Sequence, residues 1–406
     1  MEQLFTTIFV SLLIFDMYAS VQLLPHKTQS IERRHPWIFS GALKKMPLEI
    51  EDGQVVSVLD NRKNEIAKGH FQHGSIAVRI LTFKNELIDQ AFYTQRIQQA
   101  VDLREKLQLF RSDNSICRLV HGEGDELPGL VIDYYGGVAV IQCHSLGMYK
   151  DIAFITEALK SALKDSLIAI YSKSKETLPN RLPIEDGYLF GNCEVPHIAV
   201  ENGVRYQLDW ITGQKTGFFI DQRENRSLLA KYSKDKKILN TFCYSGGFSL
   251  AALQHGAQEV HSLDSSKKAI ELTDNNIALN NFGSKHQSIV ADAMVHIRET
   301  GEEYDIVILD PPAFAKHRDK RHQAVQGYKR LNAMAMSHIR PGGMLMTYSC
   351  SQVVDKSLFT NTIIAAAIES GRSVKILEQL HQPADHPINA FHPEGEYLKG
   401  LLVQVN

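Results

Sequence analysis

Tyr304-Asp305-Ile306-Val307-Ile308-Leu309-Asp310-Pro311-Pro312-Ala313-Phe314, followed about one strand later by Gly343-Met344-Leu345-Met346-Thr347-Tyr348-Ser349-Cys350-Ser351, decides how this chain is read. Each stretch is an apolar run closed by a chemical group. Both read as buried parallel strands, and the carboxyl end of such strands is where an open α/β sheet binds its ligands. The residue before a proline is pushed to an extended conformation. Pro311 and Pro312 lack amide donors and stiffen the corner, so they aim the Asp310 carboxylate; the plain alternative is a strand-terminating turn. A thiol at Cys350, flanked by serines, is either a small buried hydrophobe or a nucleophile. With Asp310 beside it, the second reading is preferred.

The surrounding block has the matching rhythm. Ile238–Phe242 reads as a strand, Phe248–Gln254 as a helix, Glu259–Leu263 as a strand and Lys267–Asn280 as a helix. Alternation at this spacing implies a mostly parallel, doubly wound sheet. After the first strand comes Cys243-Tyr244-Ser245-Gly246-Gly247-Phe248, whose glycines let backbone pass close to a ligand at a helix start. The GxGxxG fingerprint is absent, which disfavours a pyrophosphate. The next strand ends at Asp264, where a carboxylate commonly grips ribose hydroxyls. Asp292 follows the third strand and is placed to meet an adenine amino group. A ribose, an adenine and no pyrophosphate point to S-adenosylmethionine. Taken singly, Asp264 and Asp292 could each be a helix cap.

A thiolate and a carboxylic acid suit one reaction in particular. Cytosine C5 is too weak a nucleophile to attack a methyl group unaided, but a thiolate adding to C6 makes it an enamine. An acid bonding N3 would drain charge from the ring. Cys243, inside the glycine turn, is the competing thiol and is read as packing. The group that removes the C5 proton is left open.

Basic residues cluster in two places. Lys316, Arg318, Lys320 and Arg321 adjoin Asp310 and are expected to contact phosphates. Arg33-Arg34-His35-Pro36-Trp37 pairs charge with an aromatic, as single-stranded nucleic-acid surfaces do; Trp37 could equally fill a barrel core. Lys215–Arg226 (KTGFFIDQRENR) leads into the cofactor strand and reads as a lid. His381, His386 and His392 lack regular ligand spacing, so no metal is expected.

Composition sets the frame. The 406 residues imply two or three domains. With 44% hydrophobic and 22% charged residues the chain is of globular type. The net charge of -2 confines any nucleic-acid surface to local patches. Five scattered cysteines with no CxxC pair argue against structural zinc and for a reducing, cytoplasmic setting. The apolar stretch Leu4–Phe15 is too short for a membrane span and lacks the basic flank of a secretory signal; residues 1–20 are read as a leader, with an anchor or a buried helix as alternatives. Residues 21–90 are β-rich and barrel-like, 91–184 form a small α/β unit, and 185–406 carry the doubly wound domain.

Taken in order, Arg33–Gly41 (RRHPWIFSG), Lys215-Thr216-Gly217 through Asp221-Gln222-Arg223, Tyr244–Phe248, Asp310-Pro311-Pro312, Ser349-Cys350-Ser351, and Ala384-Asp385-His386-Pro387 through Gly400 resemble one family. It comprises the bacterial class I S-adenosylmethionine-dependent 23S rRNA cytosine-C5 methyltransferases that carry an N-terminal PUA domain. The resemblance runs from about Val21 to the C-terminus. It implies a PUA domain, a small α/β middle domain and a Rossmann-like methyltransferase domain. It further implies Cys350 as nucleophile, Asp310 as the acid on the base, and Asp221, Arg223, Tyr244, Gly246, Asp264, Asp292 and Asp310 around the cofactor. Where family members often have lysine before the phenylalanine, this chain has Ala313. Ribosomal RNA is the implied partner, no membrane is expected, and a monomer and a homodimer are both compatible with the sequence. Two rivals remain: a methyltransferase acting on a nitrogen, which would not need Cys350, and a non-catalytic RNA-binding factor with a relict pocket.

Overall fold

The computed structural model describes residues 18–179, 183–315 and 317–406. The leader at 1–20 therefore lies outside the described residues, except for its last three. Those three belong to the first domain: Ala19 opens strand β1, and the Tyr18 hydroxyl accepts a hydrogen bond from the Ile88 amide.

In the first domain, β1 (Ala19–Gln22), β2 (Trp37–Phe39), β3 (Val55–Leu59), β4 (Glu65–Phe71) and β5 (Ile76–Thr82) form one sheet in the order β1-β3-β4-β5-β2. Period-two alternation turns Val21, Val56, Val58, Ala67, Val78 and Ile80 into a common core. The helix Gln90–Lys106 follows, its first turn capped by Asp89, which accepts from the Phe92 amide.

That helix packs on a second sheet of β6 (Ile116–His121), β7 (Leu130–Tyr135), β8 (Val138–Cys143), β9 (Ala169–Ser172) and β10 (Gly187–Gly191), ordered β10-β9-β8-β7-β6. Residues 187–191 were expected in the third unit. They pair antiparallel with β9 instead, so the middle sheet runs past residue 184. Its short, glycine-bounded strand has little local signal. A hairpin of β11 (His197–Glu201) and β12 (Val204–Leu208) leads onward.

The third sheet contains β13 (Lys237–Thr241), β14 (Glu259–Asp264), β15 (His286–Val290), β16 (Ile306–Leu309), β17 (Gly343–Ser349), β18 (Val374–His381) and β19 (Lys399–Val405), in the order β15-β14-β13-β16-β17-β19-β18. Strands β13 to β17 pair in parallel, while β19 runs antiparallel between β17 and β18. The order turns back between β13 and β16, and the crevice above that switch point is the expected ligand site.

The segment Gln382–Leu398 binds the three units together. Asp385 is fully buried; its Oδ2 accepts from Arg223 Nη1 at 2.6 Å and from the Arg118 amide at 2.9 Å, and its main-chain oxygen accepts from Arg104 Nη2 at 2.7 Å. Burial works to raise the Asp385 pKa, but His386 and Arg223 outweigh it and hold the carboxyl far below the usual range. Because the folded value is depressed, this stabilisation is complete above the unfolded pKa near about 4 and disappears as pH falls below it. Removing one partner of a buried ion pair strands the other charge, at a cost of about 3–5 kcal/mol. Asp385→Ala is expected to destabilise the protein by that amount in urea unfolding at pH 7, with the gap to wild type closing as the pH is lowered through 4.

Candidate active site

Geometry at the head of the third sheet comes from three corners. The first follows β13. Phe242 and Tyr244 hold φ of 56° and 48°, and Gly246 holds 76°. Left-handed backbone at non-glycine residues costs about 1–3 kcal/mol each and gathers at functional turns. A side chain at Gly246 would also meet Thr273 Cγ2 at 2.9 Å. The turn is fastened from both sides: the Tyr244 amide donates to Asp264 Oδ2 at 3.2 Å, and Thr273 Oγ1 donates to the Tyr244 carbonyl at 3.0 Å. Cys243 sits beneath it with its thiol pushed up to about 12 by burial, a packing group as expected.

Beside this turn lies a cavity of 570 Å³, lined by Phe242, Leu263, Ala291, Met294, Phe314 and Leu331 among others. Its walls are mostly apolar, and Asp292 stands at its edge. Asp292 also caps the helix Ala293–Thr300, one oxygen accepting from the Met294 and Val295 amides at 2.9 and 3.0 Å. The cap and the cavity edge are thus one carboxylate. For the helix Lys267–Leu279 the cap is Ser266, which leaves Asp264 at the pocket turn. A carboxylate at the turn, an apolar cavity beside it and a turn that needs glycine at 246 are compatible with an adenosine group bearing a small zwitterion.

The second corner is Asp310. Burial and then the neighbouring Asp221 push its carboxyl up to about 7, against a hydrogen bond from Gln222 and the charge of Lys215. Asp221 goes the other way. Burial opposes its charge, yet Lys215, His386 and a hydrogen bond from the Tyr397 hydroxyl at 2.8 Å keep it below the ordinary carboxylate range. The third corner is Cys350, half-buried after β17. Burial and Asp310 raise its thiol, with Lys215 opposing. Ser351 Oγ donates to the Ala315 carbonyl at 2.7 Å, which ties the Asp310 corner to the Cys350 corner. The Asp310 charge is among those that act on the Cys350 thiol.

Lys215 lies 4.6 Å over the Phe219 ring, which meets Tyr244 edge-on at 5.0 Å. The stretch read as a lid thus reaches the cofactor turn. Arg223, expected at the cofactor, is instead committed to Asp385 and Glu224 with 2% of its side chain exposed. Its position in an ordered motif gave no hint of a partner 162 residues away. Trp37 is half-buried and outside the barrel core: its indole donates to Glu123 Oε1 at 2.8 Å and its ring lies 4.3 Å from His392. Arg33, Arg34, Arg318, Lys320 and Arg321 are exposed; Arg34 lies 6.0 Å over Phe391. Lys316 lies outside the described residues.

Two residues at the site lay inside motifs quoted for the resemblance but were given no role of their own. Gln222, 3% exposed, bonds Asp310. Lys399, 4% exposed, opens β19 opposite Ser349 and donates to the Ser351 carbonyl at 2.7 Å. Burial lowers its ammonium to about 8, and the Cys350 thiolate is the largest charge working against that.

An S-adenosylmethionine-dependent methyltransferase family profile matches residues 118–403, and a PUA-like domain profile matches residues 21–83. Ribosomal RNA large subunit methyltransferase I of Tolumonas auensis is 38% identical over 400 residues, covering 96% of this chain and 100% of that protein. The protein of the same name from Klebsiella pneumoniae strain 342 is 36% identical over 399 residues, covering 96% and 99%. Among solved structures, the methyltransferase SMU.776 complexed with SAH superimposes with a TM-score of 0.83 at 21% identity, covering 95% of this chain and 100% of that one. A Streptococcus mutans methyltransferase gives 0.81, also at 21% identity. At that identity the likeness speaks for the fold.

Gly246→Ala combines a left-handed backbone with the Thr273 contact. It is expected to cost roughly 1–2 kcal/mol, measured as a lowered urea midpoint, while Gly342→Ala, whose added methyl meets nothing within 4 Å, isolates the backbone cost alone.

Proposed function

Because the chain belongs to the S-adenosylmethionine-dependent methyltransferase family that includes the ribosomal RNA large subunit methyltransferases I, we propose that it methylates C5 of a cytosine in 23S rRNA through a covalent Cys350 adduct. The observation that carries this reading is the Cys350–Asp310 pairing at the ends of β17 and β16, with one carboxyl held near neutrality.

Asp264 takes the ribose hydroxyls, Asp292 and the apolar slot take the adenine, and Tyr244 with Gly246 shape the turn around the amino-acid end. Asp221 lies nearby and keeps its negative charge. The bound sulfonium supplies an electrophilic methyl group. Asp310 in its protonated form donates to cytosine N3. The Cys350 thiolate forms a bond to C6, and the displaced C5–C6 electron pair is then available at C5 to take up the methyl group. Loss of the C5 proton to a base expels the thiolate, breaking the sulfur–C6 bond and restoring the aromatic ring. Arg33, Arg34, Arg318, Lys320 and Arg321 contact phosphates at two separated places, one on the PUA-like unit (residues 21–90) and one beside the site. The reaction takes place in the cytoplasm, where ribosomal RNA is. No helix among the described residues is long and apolar enough to cross a membrane.

Cys350→Ala is expected to abolish methylation of 23S rRNA while S-adenosylmethionine still binds by calorimetry. Wild-type turnover in that variant would favour methylation at a nitrogen instead. Absence of cofactor heat in the wild-type protein would favour a relict pocket.

Asp310 must be protonated to donate, and its raised pKa means that the donor form is lost as pH rises through about 7. Cys350, whose thiol is also raised, gains thiolate over the same range, so the rate of a single turnover is expected to climb with pH below about 7 and to level off above it. Asp310→Asn is expected to remove that levelling and lower the rate roughly a hundredfold or more.

A further inference from the structure

We propose that His35, His392 and Glu394 form a binding site for a zinc-class divalent cation, which clamps the PUA-like domain to the C-terminal loop of the catalytic domain. His35 Nε2 lies 3.5 Å from Glu394 Oε2, and His392 Nδ1 lies 3.2 Å from the same oxygen. One ligand atom from each residue falls within 4.8 Å of the other two. A tetrahedral ion with bonds of about 2.0–2.1 Å would hold its ligand atoms about 3.3 Å apart, which is the spacing of these two pairs.

Ordinary hydrogen bonding accounts for part of this cluster and leaves a remainder. His392 is 3% exposed, yet its Nδ1 makes no hydrogen bond although the carboxylate oxygen is 3.2 Å away. A buried polar atom without a partner costs about 1–3 kcal/mol. A short distance without hydrogen-bond alignment is what results when both atoms direct their lone pairs at a common third point.

His35 has the supporting contact usual for a ligating histidine: its Nδ1 is 3.3 Å from the Trp37 carbonyl. The Trp37 amide, 3.1 Å from that same nitrogen, competes for it. Without metal, Nδ1 accepts from this amide and Nε2 carries the proton toward Glu394. Ligation through Nε2 moves the proton to Nδ1, which then donates to the Trp37 carbonyl.

Two imidazoles and one carboxylate select zinc or a neighbouring transition metal over magnesium or calcium, which prefer oxygen ligands throughout. Glu394 is exposed enough, at 55% of its side chain, to leave the fourth position to water. The Trp37 ring packs beside His392, 4.3 Å between ring centroids. The ion would join residues 357 positions apart along the chain, since His35 and His392 come from different domains. That separation is why spacing along the sequence pointed to no metal.

The full-length protein, stripped with a chelator, is titrated with zinc and separately with cobalt. One equivalent of zinc is expected to bind saturably in competition with a chromophoric chelator and to raise the thermal midpoint. Cobalt is expected to give the intense visible bands of a tetrahedral site. Glu394→Gln and the double variant His35→Gln/His392→Gln should each lose the cobalt bands and the midpoint rise. Circular dichroism identifies any variant that is not folded, and the exposed Glu394 keeps the test valid if the double variant is lost. Absence of a saturable first equivalent, or bands unchanged in the folded Glu394→Gln variant, overturns the proposal.

Discussion

The buried Asp221 and the half-buried Asp310 act on one another, and the rest of the site is arranged around the fact that both cannot be charged there at low cost. Two like charges in a poorly solvated space drive their pKa values apart. Which one keeps its proton is decided by neighbours. Asp221 receives the Tyr397 hydroxyl and lies near Lys215, His386 and Arg118, so it holds its charge. Asp310 receives Gln222 but feels Asp221, so it moves toward neutrality. Pairs of titratable groups split by their surroundings are the usual physical basis of an acid and its partner in one active site. Here the split yields a carboxyl able to donate a hydrogen bond near pH 7.

The groups that enforce the split are not local to it. Tyr397 and His386 come from the segment between β18 and β19, and Arg118 comes from β6 in the middle domain. The same segment supplies Asp385 to Arg223, Arg118 and Arg104. Helix Arg223–Tyr232 is anchored on its far side as well: Arg226 grips Glu201 of the β11–β12 hairpin through two hydrogen bonds, at 2.6 and 2.7 Å. Measured against a well-packed apolar replacement, buried ion pairs of this kind add little stability. Their geometric demand is strict, however, and it fixes how the middle domain sits against the catalytic sheet. The electrostatics of Asp310 therefore depend on docking between domains and not on the Asp-Pro-Pro corner alone.

This division explains what the sequence disclosed. Strands β16 and β17 were legible because a continuous apolar run ending in a polar residue is a local signal. The alternating third sheet and the Gly246 turn were legible for the same reason, and the ordered motifs led to the family. Arg223 was misplaced because a motif shows order along the chain but not which partner a guanidinium meets. Trp37 looked like a surface or barrel residue because its Glu123 partner lies in another domain. Asp292 was read with a choice between cap and adenine contact; the structure makes it the cap and also puts it in the lining of the apolar cavity. Strand β10 escaped because glycine-bounded edge strands carry little periodicity, and Lys399 because nothing in a β-strand lysine announces burial.

Lys399 shows how far the geometry extends beyond the residues that motifs single out. A buried ammonium is normally matched by a carboxylate, and the ion pairs among the described residues give Lys399 none. Its hydrogen-bond partner is a neutral carbonyl, that of Ser351. Full burial of an unpaired ammonium is costly, and the drop to about 8 expresses that cost. The strongest nearby negative charge is one that exists only when Cys350 is ionised. Forming the thiolate would thus supply Lys399 with the counter-charge that the resting site lacks, while Asp310 and Asp221 oppose it. The site is held between two influences: burial, with the nearby Asp310 and Asp221, which keeps the thiol protonated at rest, and a desolvated cation whose energy falls once the sulfur carries charge.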